Sequence, residues 1–197
     1  MRASHDSKTN KAVFLDRDGT INIEKDYLYR ISDFEFIDGS IDALRNLSEA
    51  GYMLIIVSNQ SGIARGYYSE DDYLALDEWL KDQLKSQGVT IEASYYCPHL
   101  PGAPVKEYDL ECDCRKPGIG LFKKAARDLD LDMAHSFAIG DRLRDLEICK
   151  YTECQGFLVN TTESDDVIDD AKRGSYPGIR YASDLAEAAS IILKQDQ

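Results

Sequence analysis

Ala12-Val13-Phe14-Leu15-Asp16-Arg17-Asp18-Gly19-Thr20 is the stretch of the sequence that indicates the fold most directly. Its apolar part, residues 12–15, is short and stops at an aspartate, which is typical of a buried strand that delivers side chains at its end. Asp16 and Asp18 follow the strand with one residue between them, and Gly19-Thr20 comes next. The stretch therefore predicts a buried strand followed by a tight loop that carries two carboxylates.

The rest of the chain alternates between patterns typical of strands and of helices. Short apolar runs predict further strands at residues 53–57, 91–96, 136–139 and 156–159. Apolar residues at helical spacing, with start and stop signals, predict helices at residues 40–50, 69–88, 121–129, 144–150 and 182–193. This alternation implies parallel strands joined by right-handed crossovers. We therefore predict an α/β fold, a three-layer sandwich with a central, mainly parallel sheet in a single domain of residues 12–197, after a flexible tail of residues 1–11.

Composition excludes several classes of function. The hydrophobic fraction of 43% and the charged fraction of 30% are those of a soluble globular protein, and no apolar run is long enough to cross a bilayer. The net charge of -13 opposes binding to nucleic acid or to anionic membranes, although a local positive pocket can hold a small phosphorylated substrate. Because the N-terminus lacks the apolar part of a signal peptide, we expect a cytoplasmic protein without stable disulfides. Nothing in the sequence requires more than a monomer.

Three aspartates and a serine are predicted to meet at one edge of the sheet. Asp141 follows the apolar run 137–140, and Ser58 follows the run 53–57. Ligands of such sheets bind outside the carboxyl ends of the strands, so Asp16, Ser58 and Asp141 should converge on one crevice, with Asp145 nearby. Crowded carboxylates are costly without a cation, and ligand sets made only of oxygen suit Mg²⁺.

This carboxylate cluster has a chemical interpretation and a structural alternative. With magnesium bound, one carboxylate can attack a phosphoryl group, while Asp18 is placed to protonate the leaving alkoxide and later to activate water. The alternative for Asp16-Arg17-Asp18-Gly19 alone is a turn with solvated charges.

A second metal site is predicted within the loop 97–114. Cys97-Pro98-His99 and Cys112-Asp113-Cys114 supply three thiolates and one imidazole, which match a closed structural Zn²⁺ site. Such a site would anchor the segment that presents Arg115 and Lys116, which follow at once. The alternative is that these cysteines are small buried side chains and His99 a hydrogen-bonded loop residue. Cys149 and Cys154 have no partner motif and are interpreted as packing residues.

Four segments together resemble, in order, the motifs of the haloacid dehalogenase superfamily of phosphatases. They are Phe14-Leu15-Asp16-Arg17-Asp18-Gly19-Thr20, Val57-Ser58-Asn59-Gln60, Arg115-Lys116-Pro117, and Ile139-Gly140-Asp141 with Asp145. The resemblance implies that Asp16 forms an aspartyl-phosphate and that Asp18 is the general acid and base. It further implies that Ser58 and Lys116 hold the phosphoryl oxygens. Magnesium would be bound by the Asp16 carboxylate, the Asp18 backbone carbonyl and Asp141.

The zinc loop narrows the resemblance to two groups without a large cap domain, the heptose bisphosphate phosphatases and the histidinol-phosphate phosphatases. The segment Asn59-Gln60-Ser61-Gly62-Ile63-Ala64-Arg65-Gly66 and the long spacer between the ligand pairs are more similar to the heptose group. This group implies removal of the 7-phosphate of D-glycero-D-manno-heptose 1,7-bisphosphate, to give heptose 1-phosphate for nucleotide-activated heptose synthesis. The implied substrate contacts are Glu24, Lys25, Asp26, Tyr27, Ser58, Asn59, Gln60, Ser61, Arg115, Lys116 and Arg142.

Two residues depart from the usual pattern of this group. Ser58 stands where threonine is frequent, and Arg142 stands where lysine is frequent, but both keep the hydroxyl or the charge. Three alternatives to the heptose phosphatase remain at this point: a histidinol-phosphate phosphatase, a polynucleotide 3′-phosphatase, which the acidic charge opposes, and a zinc-stabilised binding protein without turnover.

Overall fold

A single parallel sheet forms the centre of the protein. The structure, a computed structural model, describes residues 10–195. Within these residues the strands are β1 (Ala12–Leu15), β2 (Met53–Asn59), β3 (Ile91–Cys97), β4 (Phe137–Gly140), β5 (Gln155–Leu158) and β6 (Ile179–Tyr181). Their order is β3-β2-β1-β4-β5-β6, and every pair of neighbours is parallel. The predicted α/β fold with a mainly parallel sheet is confirmed.

Helices follow most of the strands. They are α1 (Ser40–Glu49), α2 (Ser61–Ala64), α3 (Glu70–Ser86), α4 (Gly120–Asp128), α5 (Asp165–Lys172) and α6 (Leu185–Gln195). Short 3₁₀ segments cover Ile31–Asp33, Lys106–Tyr108, Met133–His135 and Leu143–Lys150. The sequence predicted the start of α3 because Ser69 and Asp72 have the spacing of a capping box. In the structure the Ser69 hydroxyl accepts from the Asp72 backbone N–H, and the Asp72 carboxylate accepts from the Ser69 backbone N–H. This capping box satisfies two backbone donors at the helix start.

Each face of the sheet carries its own apolar core, because successive side chains of a strand point to opposite faces. Val13 and Leu15 of β1 pack on one side, in a cluster that also contains Leu44 of α1. Phe14 packs on the other side, where its ring meets that of Phe122 of α4 edge to face, with 5.3 Å between the ring centroids. The sheet is therefore covered on both faces, which gives the predicted three layers.

Several predicted bounds differ from the structure. Strand β2 extends two residues beyond the prediction, so that Ser58 and Asn59 belong to it. The predicted helix 144–150 is a 3₁₀ segment. The last helix starts at Leu185 rather than residue 182, because the Asp184 carboxylate accepts the Glu187 backbone N–H in its first turn.

The N-terminal tail lies largely outside the described residues, since positions 1–9 of the predicted range 1–11 are not described. Asn10 and Lys11 are attached to the domain: the Asn10 amide donates to the Leu129 carbonyl at 2.8 Å, and the Lys11 carbonyl accepts from the Met53 N–H at 2.9 Å. Among residues 10–195, no helix has both the length and the apolar character needed to span a membrane.

Candidate active site

The carboxyl ends of β1, β2 and β4 open into one polar crevice of about 340 Å³. Asp16 follows β1, Ser58 lies near the end of β2, and Asp141 follows β4, so neighbouring strands place these side chains together. The crevice is lined by Asp16, Asp18, Glu24, Asp26, Tyr27, Ser58, Asn59, Gln60, Ser61, Arg65, Tyr68, Arg115, Lys116, Asp141, Arg142, Arg144 and Asp145.

Three carboxylates form a cluster that fits a hard divalent cation. One oxygen each from Asp16, Asp141 and Asp145 lies within 4.8 Å of the others. Burial and the neighbouring carboxylates raise the pKa of Asp16 to about 7, although Lys116 opposes this shift. Burial and the charges of Asp16 and Asp145 also raise the pKa of Asp141, to about 8. Oxygen donors crowded in this way suit Mg²⁺, because a divalent charge would stabilise their ionised forms.

Gly19 allows the loop to approach this cluster. Its φ of +79° lies in the left-handed region, and a Cβ atom placed there would lie 2.7 Å from Asp141 Oδ2. Only glycine fits both the backbone conformation and the close approach.

Lys116 is the buried cation of the crevice and is only 3% exposed. Its Nζ lies 2.7 Å from Asp16 Oδ1 and 2.8 Å from Asp145 Oδ1, and it donates to the Val57 carbonyl at 2.7 Å. Burial lowers the pKa of Lys116, but the charges of Asp145 and Asp16 outweigh it and raise the pKa above its ordinary value. The Asn59 side chain holds the Lys116 backbone through two hydrogen bonds, of 2.9 and 3.0 Å. Lys116 is thus fixed beside Asp16.

Asp18 is held by side chains that lie beside it rather than by the metal cluster. Arg17 donates to both of its carboxylate oxygens, at 2.8–3.1 Å, and Asn22 donates to Oδ1 at 3.0 Å. Gln60 Nε2 lies 3.3 Å from Asp18 Oδ2 and 2.7 Å from Ser58 Oγ, and the Gln60 side-chain oxygen Oε1 accepts from the Tyr68 hydroxyl at 2.6 Å. Asp18 and Ser58 are therefore linked through one buried amide.

The predicted substrate loop meets the crevice through Glu24, Asp26 and Tyr27 but not through Lys25. The Lys25 ammonium pairs with Glu35 at 2.9 Å instead, at an exposed position. Asp26 and Tyr27 have φ values of 42° and 61°, so this loop adopts a left-handed backbone without glycine. Such conformations cost energy and occur most often at functional sites.

Three residues line the crevice that were not among the predicted site residues, namely Arg65, Tyr68 and Arg144. Arg65 lies within the segment that resembles the heptose group, and its guanidinium lies over the Tyr27 ring, 5.7 Å from its centroid. Tyr68 had no signal in the sequence, because its contact with Gln60 depends on the turn between α2 and α3. Of the predicted arginines, Arg142 Nε lies 3.4 Å from Asp141 Oδ2, while Arg115 Nη1 donates to the His99 carbonyl at 3.2 Å.

The predicted zinc ligands form a second cluster beside the crevice. The Cys114 sulfur lies 3.1 Å from the sulfurs of Cys97 and Cys112, and 3.3 Å from His99 Nδ1. All these cysteines are free thiols. Four ligands at about 2.3 Å from a tetrahedral zinc would lie roughly 3.8 Å apart, so the donor set and its size fit Zn²⁺ after a small expansion. Since Arg115 donates to a carbonyl of this loop, the cluster is in a position to brace residues 115 and 116.

Comparisons with known proteins agree with this geometry. A family model described as HAD-hydrolase-like matches residues 113–188. A D-glycero-beta-D-manno-heptose-1,7-bisphosphate 7-phosphatase of Photorhabdus laumondii is 44% identical over 183 residues, which cover 93% of this chain and 97% of that protein. The protein of the same name from Escherichia coli K12 is 47% identical over 141 residues, covering 72% of this chain and 74% of the relative.

A solved structure shows the same fold. The D,D-heptose 1,7-bisphosphate phosphatase of B. bronchiseptica, crystallised with magnesium and phosphate, superposes with a TM-score of 0.79 at 32% identity. The match covers 94% of this chain and 99% of the other.

Proposed function

Since this chain belongs to the D-glycero-beta-D-manno-heptose-1,7-bisphosphate 7-phosphatases of the haloacid dehalogenase superfamily, we propose that it removes the 7-phosphate of that sugar bisphosphate with Asp16 as the nucleophile. The chain is a phosphomonoesterase that acts on a sugar bisphosphate. The observation that carries the assignment of Asp16 is that its carboxylate belongs to the cluster with Asp141 and Asp145 and also lies 2.7 Å from the Lys116 ammonium. Heptose 1-phosphate, the product, would enter nucleotide-activated heptose synthesis and lipopolysaccharide.

The reaction proceeds in two steps on the residues of the crevice. The Asp16 carboxylate attacks phosphorus, the bond to the sugar oxygen breaks, and Asp18 gives its proton to that oxygen. Water then attacks the phosphorus of the aspartyl-phosphate and passes a proton to Asp18, the bond from phosphorus to the Asp16 oxygen breaks, and inorganic phosphate leaves as Asp16 returns to a carboxylate. Lys116 and Ser58 hold the phosphoryl oxygens as their charge changes.

The protein would have two metal sites, one catalytic and one structural. Asp16, Asp141 and the Asp18 backbone carbonyl would hold Mg²⁺, which when bound offsets the repulsion between a carboxylate nucleophile and a phosphate. Cys97, His99, Cys112 and Cys114 would hold Zn²⁺ with no open position for water, so that this ion organises the loop and takes no part in the reaction.

The substrate contacts follow from the lining of the crevice. Glu24, Asp26 and Tyr27 supply acceptors and an aromatic face for the sugar hydroxyls, and Ser61 and Asn59 line the same wall. Arg115 and Arg142 supply positive charge for the phosphate groups. The free cysteines of the protein would suit the reducing cytoplasm.

The test is a comparison of substrates with purified protein. Both anomers of the heptose bisphosphate and histidinol phosphate are incubated with Mg²⁺ or with EDTA, beside Asp16→Asn and the surface control Asp165→Asn. We expect phosphate release from the heptose bisphosphate, no release with EDTA or with Asp16→Asn, and normal release with Asp165→Asn. A preference for histidinol phosphate would overturn the substrate, whereas equal release by Asp16→Asn would overturn the nucleophile.

A further inference from the structure

Among residues 10–195, Arg17 is the largest fully buried side chain, and it lies in the motif that carries both catalytic aspartates. Its guanidinium is 0% exposed and donates to Asp18 through Nε and Nη2, at 2.8–3.1 Å. The same Nη2 donates to the Leu28 carbonyl at 3.0 Å. One side chain therefore joins the Asp18 carboxylate to the end of the loop that carries Glu24 and Tyr27.

Stability alone is a weak reason for such a contact. Burial of a guanidinium requires the loss of its water, and a buried ion pair usually gains no more stability than apolar side chains of similar volume. What the contact does provide is orientation, because a planar guanidinium that reaches both carboxylate oxygens limits the rotation of that carboxylate. Asn22 and Gln60, also buried, add donors to Oδ1 and Oδ2 respectively.

We propose that Arg17 is a positioning residue, which fixes the Asp18 carboxyl group for proton transfer and links its position to the substrate loop through Leu28. This role rests on the proposed function, in which Asp18 gives a proton to the sugar oxygen as the P–O bond breaks and takes one from water as the aspartyl-phosphate is hydrolysed. Arg17 touches neither substrate nor Asp16 in this scheme; it acts through Asp18. Loss of Arg17 should therefore slow only the events in which Asp18 moves a proton.

The leaving group distinguishes this role from general support of the fold. A sugar alkoxide needs a proton in order to leave, whereas p-nitrophenolate does not, so phosphorylation of Asp16 by p-nitrophenyl phosphate does not depend on Asp18 as an acid. Hydrolysis of the aspartyl-phosphate needs Asp18 as a base for both substrates. A protein with a misaligned Asp18 should thus release one equivalent of p-nitrophenolate quickly and then turn over slowly.

The experiment compares the wild type with Arg17→Met, which keeps an unbranched apolar stem, and with Arg17→Lys, which keeps the charge. We expect kcat for the heptose bisphosphate to fall about 10- to 100-fold in Arg17→Met, with partial recovery in Arg17→Lys. With p-nitrophenyl phosphate, the burst rate should stay within roughly 3-fold of the wild-type phosphorylation rate. Equal losses in the burst and in sugar turnover would overturn the proposal.

A double-mutant cycle provides the second measurement, on the heptose bisphosphate alone. In an Asp18→Asn background, Arg17→Met should cost less than about 2-fold further, because Arg17 has no carboxylate left to position. A further loss of 10-fold or more would show that Arg17 acts elsewhere. If Arg17→Met does not fold, Asn22→Ser tests the same carboxylate and should show a smaller loss with the same burst. Release of phosphate by Asp16→Asn would instead refute the proposed function itself.

Discussion

Replacement of Lys116 by methionine should damage both stability and catalysis, because Lys116 is the cation nearest the nucleophile. The substitution keeps the length of the side chain but leaves Asp16 and Asp145 without the ammonium that lies 2.7 and 2.8 Å from them. Removal of one partner from a buried ion pair typically costs about 3–5 kcal/mol. Loss of a group that stabilises the charge of the transition state costs about 10²–10³-fold in kcat. We expect both losses in Lys116→Met.

Lys150→Met is the matched control, since the Lys150 ammonium also lies 2.7 Å from a carboxylate, that of Glu147, but at the surface. Exposed pairs contribute about 0–1 kcal/mol, so this variant should unfold and turn over like the wild type. The assay is denaturant unfolding in EDTA, together with kcat for the heptose bisphosphate in saturating Mg²⁺. If the two variants lost similar stability, or if Lys116→Met kept wild-type turnover, the assigned role of the crevice lysine would be refuted.

The other predictions concern the metals and the backbone. Without metal, the free energy of unfolding should fall as the pH rises from about 4 to about 8, because folding raises the pKa of Asp16 from 3.8 to about 7 and that of Asp141 from 3.8 to about 8. Denaturant titrations in EDTA should show this decrease with pH, and the same titrations in excess Mg²⁺ should not. Cys112→Ser should lower both the zinc content measured by elemental analysis and the midpoint of thermal unfolding, whereas Cys149→Ser should keep the wild-type zinc content. Equal zinc contents in the two variants would contradict the assignment of Cys112 as a zinc ligand. Gly19→Ala should lower kcat about 10²-fold, because the new Cβ atom would meet the Asp141 carboxylate. The control is Gly51→Ala, which should keep the wild-type kcat, because Gly51 also has a positive φ of +86° but has open space around it. Unchanged turnover in both variants would show that the loop adapts to the added atom.

The central layers of the fold were predictable because their signals are local. Strand β1 was predicted with its observed bounds, since four apolar residues end at an aspartate. The missed elements lack such signals: β6 has only three residues, and α5 has a single buried residue, Ala171, among many charges. The position of β6 depends on its pairing with β5, and that of α5 on its contacts with β6, neither of which a local sequence pattern records.

For the site, sequence reasoning located side chains at strand ends but not their partners. The convergence of Asp16, Ser58 and Asp141 followed from the topology of parallel sheets and is seen in the structure. The outward orientation of Lys25 did not follow, because its partner Glu35 lies ten residues away and no local pattern pairs the two. The link from Tyr68 through Gln60 to Asp18 depends on packing between separate elements, which no local sequence pattern records.

Chemical trapping of the intermediate would show directly whether Asp16 is the nucleophile. Protein in Mg²⁺ is mixed with the heptose bisphosphate, quenched with borohydride during turnover, which reduces an aspartyl-phosphate to homoserine, and digested with trypsin. The peptide of residues 12–17, which lies between Lys11 and the bond after Arg17, is then analysed by mass spectrometry. We expect homoserine at position 16 only when substrate is present. Release of phosphate with Asp16 unmodified, or with the label on another residue, would contradict this expectation.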